Sequence, residues 1–163
     1  MGLITLDSKK ITAKGIQPTG EVQWKFDYFW LYGLVEPRTG ESFFREFSHL
    51  DGICFEQYLT WFAQEYPQDL HLIQVDNSRC HTCLDLQLPD NVILIFQPPY
   101  SPEVNPIERL WQEMKKPLKW GFFPDLDELR RRLSKILSKL SSQVINQVTG
   151  WDFILHALFV ANI

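Results

Sequence analysis

Val92-Ile93-Leu94-Ile95-Phe96-Gln97-Pro98-Pro99-Tyr100-Ser101-Pro102-Glu103-Val104-Asn105-Pro106-Ile107-Glu108 is the stretch from which the fold of this 163-residue chain is best read. Val92–Phe96 is a continuous apolar and β-branched run, which predicts a strand buried on both faces. Pro98, Pro99 and Pro102 stiffen the loop that follows. Asn105 then suits a helix cap and Pro106 the first helical position. Ile107, Leu110, Trp111, Met114 and Leu118 recur at helical spacing and form the apolar face of that helix. A buried strand joined to an amphipathic helix by a rigid loop is a unit of a layered α/β fold.

Working upstream, Leu70–Val75 is a short apolar strand that ends at Asp76-Asn77. Ile53, Phe55, Tyr58, Leu59, Phe62 and Ala63 predict a helix capped by Ser48 or Asp51 and closed by Pro67. Val22–Val35 and Glu41–Phe47 are aromatic-rich strands around the turn Glu36-Pro37-Arg38-Thr39-Gly40, so an antiparallel hairpin is expected. Residues 79–87 suit a short helix. Downstream, a long helix is expected from Asp125 to about Gln147, and Trp151–Val160 is a candidate for another. The order predicts one α/β domain over 1–163, with a mixed sheet and helices packed on it.

Composition agrees with a globular chain. Hydrophobic residues make up 45% and charged residues 22%, which argues against disorder, collagen or a coiled coil. Apolar runs stop at about five residues, far short of a membrane-spanning helix. Met1–Asp7 lacks a signal-peptide pattern, so no membrane partner and a cytoplasmic location are the expectation. Charge is uneven. Residues 1–108 hold 7 Lys/Arg against 15 Asp/Glu, and residues 109–163 hold 9 against 5. The basic C-terminal third, with Lys115, Lys116 and Arg130–Arg132, suits either a polyanion or a solvated helix face.

Two carboxylates stand out. Asp76 ends a strand, where ligands collect in open α/β sheets. It equally suits a turn or helix cap. Glu108 is three residues beyond Asn105, the spacing of a capping box. It also lies at the border of the apolar face, where it can point into a cleft. If adjacent strands bring the two together, they suit Mg²⁺, which takes hard oxygen ligands and few protein carboxylates. His81, five residues after Asp76, is within reach of the same cleft, although a histidine in this position is more often a surface residue. Cys80-His81-Thr82-Cys83 is compatible with reduced structural thiols or a redox pair. For zinc, Cys54, His49 and His71 have no suitable spacing. The aromatics Trp24, Phe26, Tyr28, Phe29, Trp30 and Tyr32 suit hairpin packing or base stacking.

Taken together, Asp76-Asn77 with His81, Leu88-Pro89-Asp90-Asn91-Val92, and Pro98-Pro99-Tyr100-Ser101-Pro102 running through Asn105-Pro106-Ile107-Glu108-Arg109-Leu110-Trp111 resemble the DDE transposases. The resemblance is closest to the bacterial insertion-sequence branch of the mariner-type superfamily, which Leu31–Val35 and Thr39–Ser42 also match. It implies an RNase H-like fold and metal-dependent DNA cleavage and strand transfer at transposon ends. Asp76 matches the second catalytic Asp and Glu108 the third acidic residue, with Mg²⁺ or Mn²⁺ as cofactor. The implied partners are transposon-end and target DNA, with Arg109, Lys115 and Lys116 as candidate DNA contacts, and full-length transposase or a second copy. The family's first catalytic Asp would fall just before Met1, since Gly2-Leu3 matches the segment that follows it. The helix-turn-helix region lies further upstream in the family. The expectation is therefore a truncated catalytic domain, inactive alone, with Asp7 and Asp27 the nearest substitutes. The competing readings are a non-catalytic remnant that binds DNA or full-length transposase, and a thiol–disulfide protein using Cys80 and Cys83.

Overall fold

The structure, a computed structural model, describes residues 1, 13–16, 27–83, 85–119 and 121–161. The expected site residue Asp7, the aromatics Trp24 and Phe26, and the first part of the strand expected from Val22 lie outside them.

The hairpin forms as expected. Strands β1 (Trp30–Val35) and β2 (Ser42–Phe47) pair antiparallel, with Leu34 opposite Phe43 and Trp30 opposite Phe47. Gly40 closes the turn at a φ of 74°, a conformation that costs a glycine little. Its missing Cβ matters too, since one built there would lie 1.8 Å from the Ser142 carbonyl oxygen. Upstream of β1, Met1 and Phe29 exchange two backbone hydrogen bonds, at 2.6 and 2.8 Å.

Helix α1 (Gly52–Glu65) starts at Asp51, whose carboxylate accepts from the Cys54 N–H at 2.8 Å. Of its expected apolar positions, Phe55, Tyr58, Leu59 and Ala63 are buried, whereas Ile53 is 82% exposed. Ile53 sits in the first turn, off the stripe that faces the sheet. Strands β3 (His71–Val75) and β4 (Val92–Phe96) then pair in parallel, with Ile73 opposite Leu94.

The strands form two ribbons, not one continuous sheet. Among the described residues no ladder joins β1–β2 to β3–β4. Side chains join them instead. Tyr32 and Phe43 from one ribbon and Ile73, Val75 and Val92 from the other share a core beneath Phe55, Tyr58 and Leu59 of α1. The buried Tyr58 hydroxyl donates to the Phe43 carbonyl at 2.7 Å and ties α1 to β2.

β4 is buried on one face only, contrary to the expectation from its sequence. Val92 faces the α1 core, while Ile93 and Ile95 are each 46% exposed beside Leu72 of β3. The apolar run marks the strand correctly, but α1 covers only one side of this ribbon.

The other face of the hairpin carries a second core. Helix α2 (Pro106–Lys115) packs Leu110 and Met114 there, with Phe29 from the approach to β1. Gly33 permits this approach, since a Cβ at that position would come within 2.7 Å of the Phe44 and Trp111 rings. Helices α3 (Leu126–Leu137) and α4 (Ser142–Thr149) complete the core through Leu129, Leu133 and Ile145. The long helix expected to Gln147 is therefore two. The Ser141 hydroxyl accepts from the Val144 N–H at 3.3 Å and starts a new helix. Asn146 fastens α4 to the hairpin turn by donating to the carbonyls of Pro37 and Arg38, at 2.7 and 2.9 Å.

Helix α5 (Asp152–Ala161) follows, bent 92° from α4, and none of its residues is buried. No single helix among the described residues is long and apolar enough to cross a membrane.

Leu110 is fully buried and Ile53 is not, so their truncations separate core from surface. Leu110→Ala is expected to destabilise by about 2–5 kcal/mol, and Ile53→Ala by no more than about 0.5 kcal/mol. Urea denaturation of both variants measures the difference.

Candidate active site

Asp76 stands at the carboxyl end of β3. Partial burial works to raise its carboxyl's pKa, but bonds from Ser78 and the nearby His81 outweigh this, so the net shift is downward. Oδ1 accepts from the Ser78 N–H at 3.0 Å and from His81 Nδ1 at 2.7 Å. Oδ2 carries neither bond. The Asp76 side chain is 49% exposed, against 19% for His81. Asp76 does serve a turn, as its position allowed, but only through one oxygen.

Glu108 lies in the first turn of α2 and is half-buried. The Asn105 side chain caps the helix by accepting from the Ile107 N–H at 3.3 Å. The reciprocal half of a capping box is absent. The Asn105 N–H donates to the Pro102 carbonyl at 3.1 Å, through the short 3₁₀ turn Pro102–Val104. That backbone bond replaces the one a capping-box glutamate would accept. Among the described residues, no hydrogen bond or ion pair engages the Glu108 carboxylate.

The loop between β4 and α2 is tied to the end of β3. Gln74 donates to the Val104 carbonyl at 3.0 Å, and Asn77 to the Gln97 carbonyl at 2.8 Å. Val104 lies four residues before Glu108, and Gln74 lies two before Asp76. These bonds hold the start of α2 beside the strand end that carries Asp76.

His81 is the residue that sequence reasoning undervalued. It is not a loose surface histidine. Its ring packs on the buried Phe55 of α1, with centroids 4.4 Å apart. Cys80 and Cys83 do not open a helix, because the described residues of 79–87 are turns and irregular backbone. Cys80 is buried with its Sγ 3.1 Å from the Ser78 hydroxyl, whereas Cys83 is exposed. The two remain free thiols, and the helix N-terminus that would activate a redox pair is missing.

The fold does bring His49, Asp51 and Cys54 together despite their spacing, with ligand atoms within 4.8 Å of one another. Helix capping already occupies Asp51. Burial first, then the Asp51 carboxylate, pushes the Cys54 thiol's pKa up, away from the thiolate a metal would need.

The basic residues separate by partner. Arg130 bonds Glu46 and Asp127, and Arg131 pairs with Glu128. Lys116 pairs with Glu113, and the Arg109 guanidinium lies 3.1 Å from the Trp151 ring centroid. Lys115 is exposed and forms no ion pair among the described residues. Arg132, Lys135 and Lys139 line a groove of about 300 Å³ between α2, α3 and α4, floored by Met114, Ile136 and Val148. Their i, i+3, i+7 spacing is the sequence signal that sets them apart from Arg130 and Arg131.

A carboxylate at a strand end with a second on the next helix stands where ligands collect in proteins of the α/β class. The family model for the DDE superfamily endonuclease matches residues 2–130, and the chain belongs to that family. An uncharacterized protein of Sinorhizobium fredii, y4pE/y4sA, is 29% identical over 116 residues, covering 70% of this chain and 86% of that protein. The structure of the Mos1 transposase paired-end complex with left transposon end superposes on 92% of the chain, with a TM-score of 0.69 and 13% identity. This chain spans about half of that one, 48%. The fold is the RNase H-like α/β arrangement that the sequence resemblance implies.

Burial predicts unequal thiols. In the native protein Cys83 should react readily with a thiol reagent and Cys80 only on unfolding. Equal rates at Cys80 and Cys83, or a disulfide between them, would restore the redox reading.

Proposed function

We propose that this chain is the catalytic portion of an insertion-sequence transposase, in which Asp76 and Glu108 hold Mg²⁺ or Mn²⁺ for cleavage and strand transfer at transposon ends. The observation that carries the reading is the Glu108 carboxylate, which no hydrogen bond or ion pair engages among the described residues. Its helix is capped without it, and the Gln74–Val104 bond holds that helix start at the Asp76 strand end. The donor set fits a hard divalent cation, namely two carboxylates, one of them held towards its ionised form and with no bond to its second oxygen among the described residues. When bound, such an ion stabilises charge on a phosphoryl oxygen and activates a water or hydroxyl nucleophile. Asp76 and Glu108 contribute fixed negative charge, and the rigid proline loop sets the spacing between them.

DNA is the partner this reading requires. Arg132, Lys135 and Lys139 are its preferred phosphate contacts, with Lys115 at the end of α2 as a further candidate. The carboxylate on Lys116 and the indole under Arg109 make those two weaker candidates than the sequence suggests. The family resemblance implies a third carboxylate, on a strand before Gly2. On that reading Asp76 and Glu108 bind the metal, and cleavage needs that third carboxylate as well.

Calorimetry with Mn²⁺ tests the site. Binding to the wild-type chain should be abolished by Asp76→Asn and by Glu108→Gln. Metal binding indifferent to both substitutions would sink the proposal.

Salt dependence tests the groove. Replacing Arg132, Lys135 and Lys139 together by Ala should reduce the slope of log K against log salt by roughly 0.9 for each phosphate no longer neutralised. Replacing Arg131 should leave it nearly unchanged.

A further inference from the structure

We propose that His81 is a positioning residue for the Asp76 carboxylate, an inference that rests on the metal-site reading of Asp76. Its Nδ1–H fixes Oδ1 so that Oδ2 faces a cation.

The geometry assigns the tautomer. His81 Nδ1 lies 2.7 Å from Asp76 Oδ1 and 3.2 Å from the Asp76 carbonyl oxygen. Both are acceptors only, so a bare Nδ1 would face two lone-pair groups, and the proton belongs on Nδ1. The Ser78 hydroxyl, 2.9 Å from the same nitrogen, has a rotatable proton and can adapt.

The ring itself is held from behind. Phe55 is 3% exposed and packs on the imidazole, so α1 sets where the donor points. The Ser78 N–H reaches the same Oδ1 from the turn. Two donors on one oxygen leave the carboxylate a single defined orientation. Residues of this kind, which orient a metal ligand without touching the metal, contribute roughly 10–100-fold to metal affinity.

Two substitutions separate the donor from the ring. His81→Asn keeps an N–H donor at the position of Nδ1 and loses the ring. His81→Phe keeps the ring against Phe55 and loses the donor. In the full chain, calorimetry with Mn²⁺ should show binding weakened roughly 10–100-fold in His81→Phe, and largely retained in His81→Asn. A purely structural role predicts the reverse order, because the ring supplies the packing. Equal loss in the two variants, or greater loss in His81→Asn, overturns the inference.

Long-range ¹⁵N NMR of the metal-free wild-type chain supplies a readout independent of metal. The Nδ1–H tautomer of His81 is expected, and the Nε2–H tautomer would overturn the inference. If the wild-type chain binds no Mn²⁺ while His81 shows the Nδ1–H tautomer, the metal-site reading fails and the His81–Asp76 contact stands.

Discussion

Gly33 has no side chain, and α2 lies where that side chain would be. The Trp111 ring occupies the space above β1 that a Cβ would fill, and Phe44 closes it from the neighbouring strand. This close approach brings Leu110 and Met114 into full contact with the hairpin. It also sets the depth and rotation of α2, and with them the face from which Glu108 projects. Any larger residue at Gly33 must push α2 outward or displace the Phe44 ring from its packing. The second core and the candidate site therefore depend on the same absence of atoms.

Polar bonds then settle what packing leaves open. A parallel pair such as β3–β4 has no tight turn to fix the geometry at its ends. Here side-chain amides do that work. Gln74 and Asn77 reach across to the loop after β4 and hold it against the end of β3. Asn91 does the same at the opposite end, donating to the carbonyls of Tyr66 and Asp69. The loop's prolines contribute no N–H groups, so its carbonyls are available to these amides.

How much of this was legible in the sequence depends on whether a feature is local. The Val92–Phe96 boundaries and the Asn105–Pro106 helix start follow from neighbouring residues, and each stands where the pattern put it, while the cap of α1 is Asp51, one of the two candidates. The covering of β4 is not local, because no strand states which helices lie on it, and its second face is half-exposed. The break between α3 and α4 was marked only by Ser141-Ser142, which a strong helical period outweighed. Glu108 had the right spacing for a capping box, yet the 3₁₀ turn Pro102–Val104 took the Asn105 backbone donor. His81 was hidden for a related reason. A five-residue separation matches neither strand nor helix periodicity, and only the turn at 78–81 folds its ring back onto Asp76.

The same distinction governs charge. Counted along the chain, residues 130–132 are one basic run. In the fold, Arg130 and Arg131 are answered by carboxylates, including Glu46 on β2, 84 residues away. Exposed pairs of this kind contribute little to stability, but they remove positive charge from the surface a polyanion would meet. What remains is the groove between α2, α3 and α4, lined by Arg132 and Lys135 of α3, Lys139 just beyond it, and Glu113. An acidic chain thus keeps positive charge at this groove because its carboxylates pair with particular cations, and among the described residues no ion pair engages Arg132, Lys135 or Lys139. Glu108 follows the complementary rule. Among the described residues it has no cation to answer it, and it stands in a helix's first turn, where the backbone favours negative charge without consuming it.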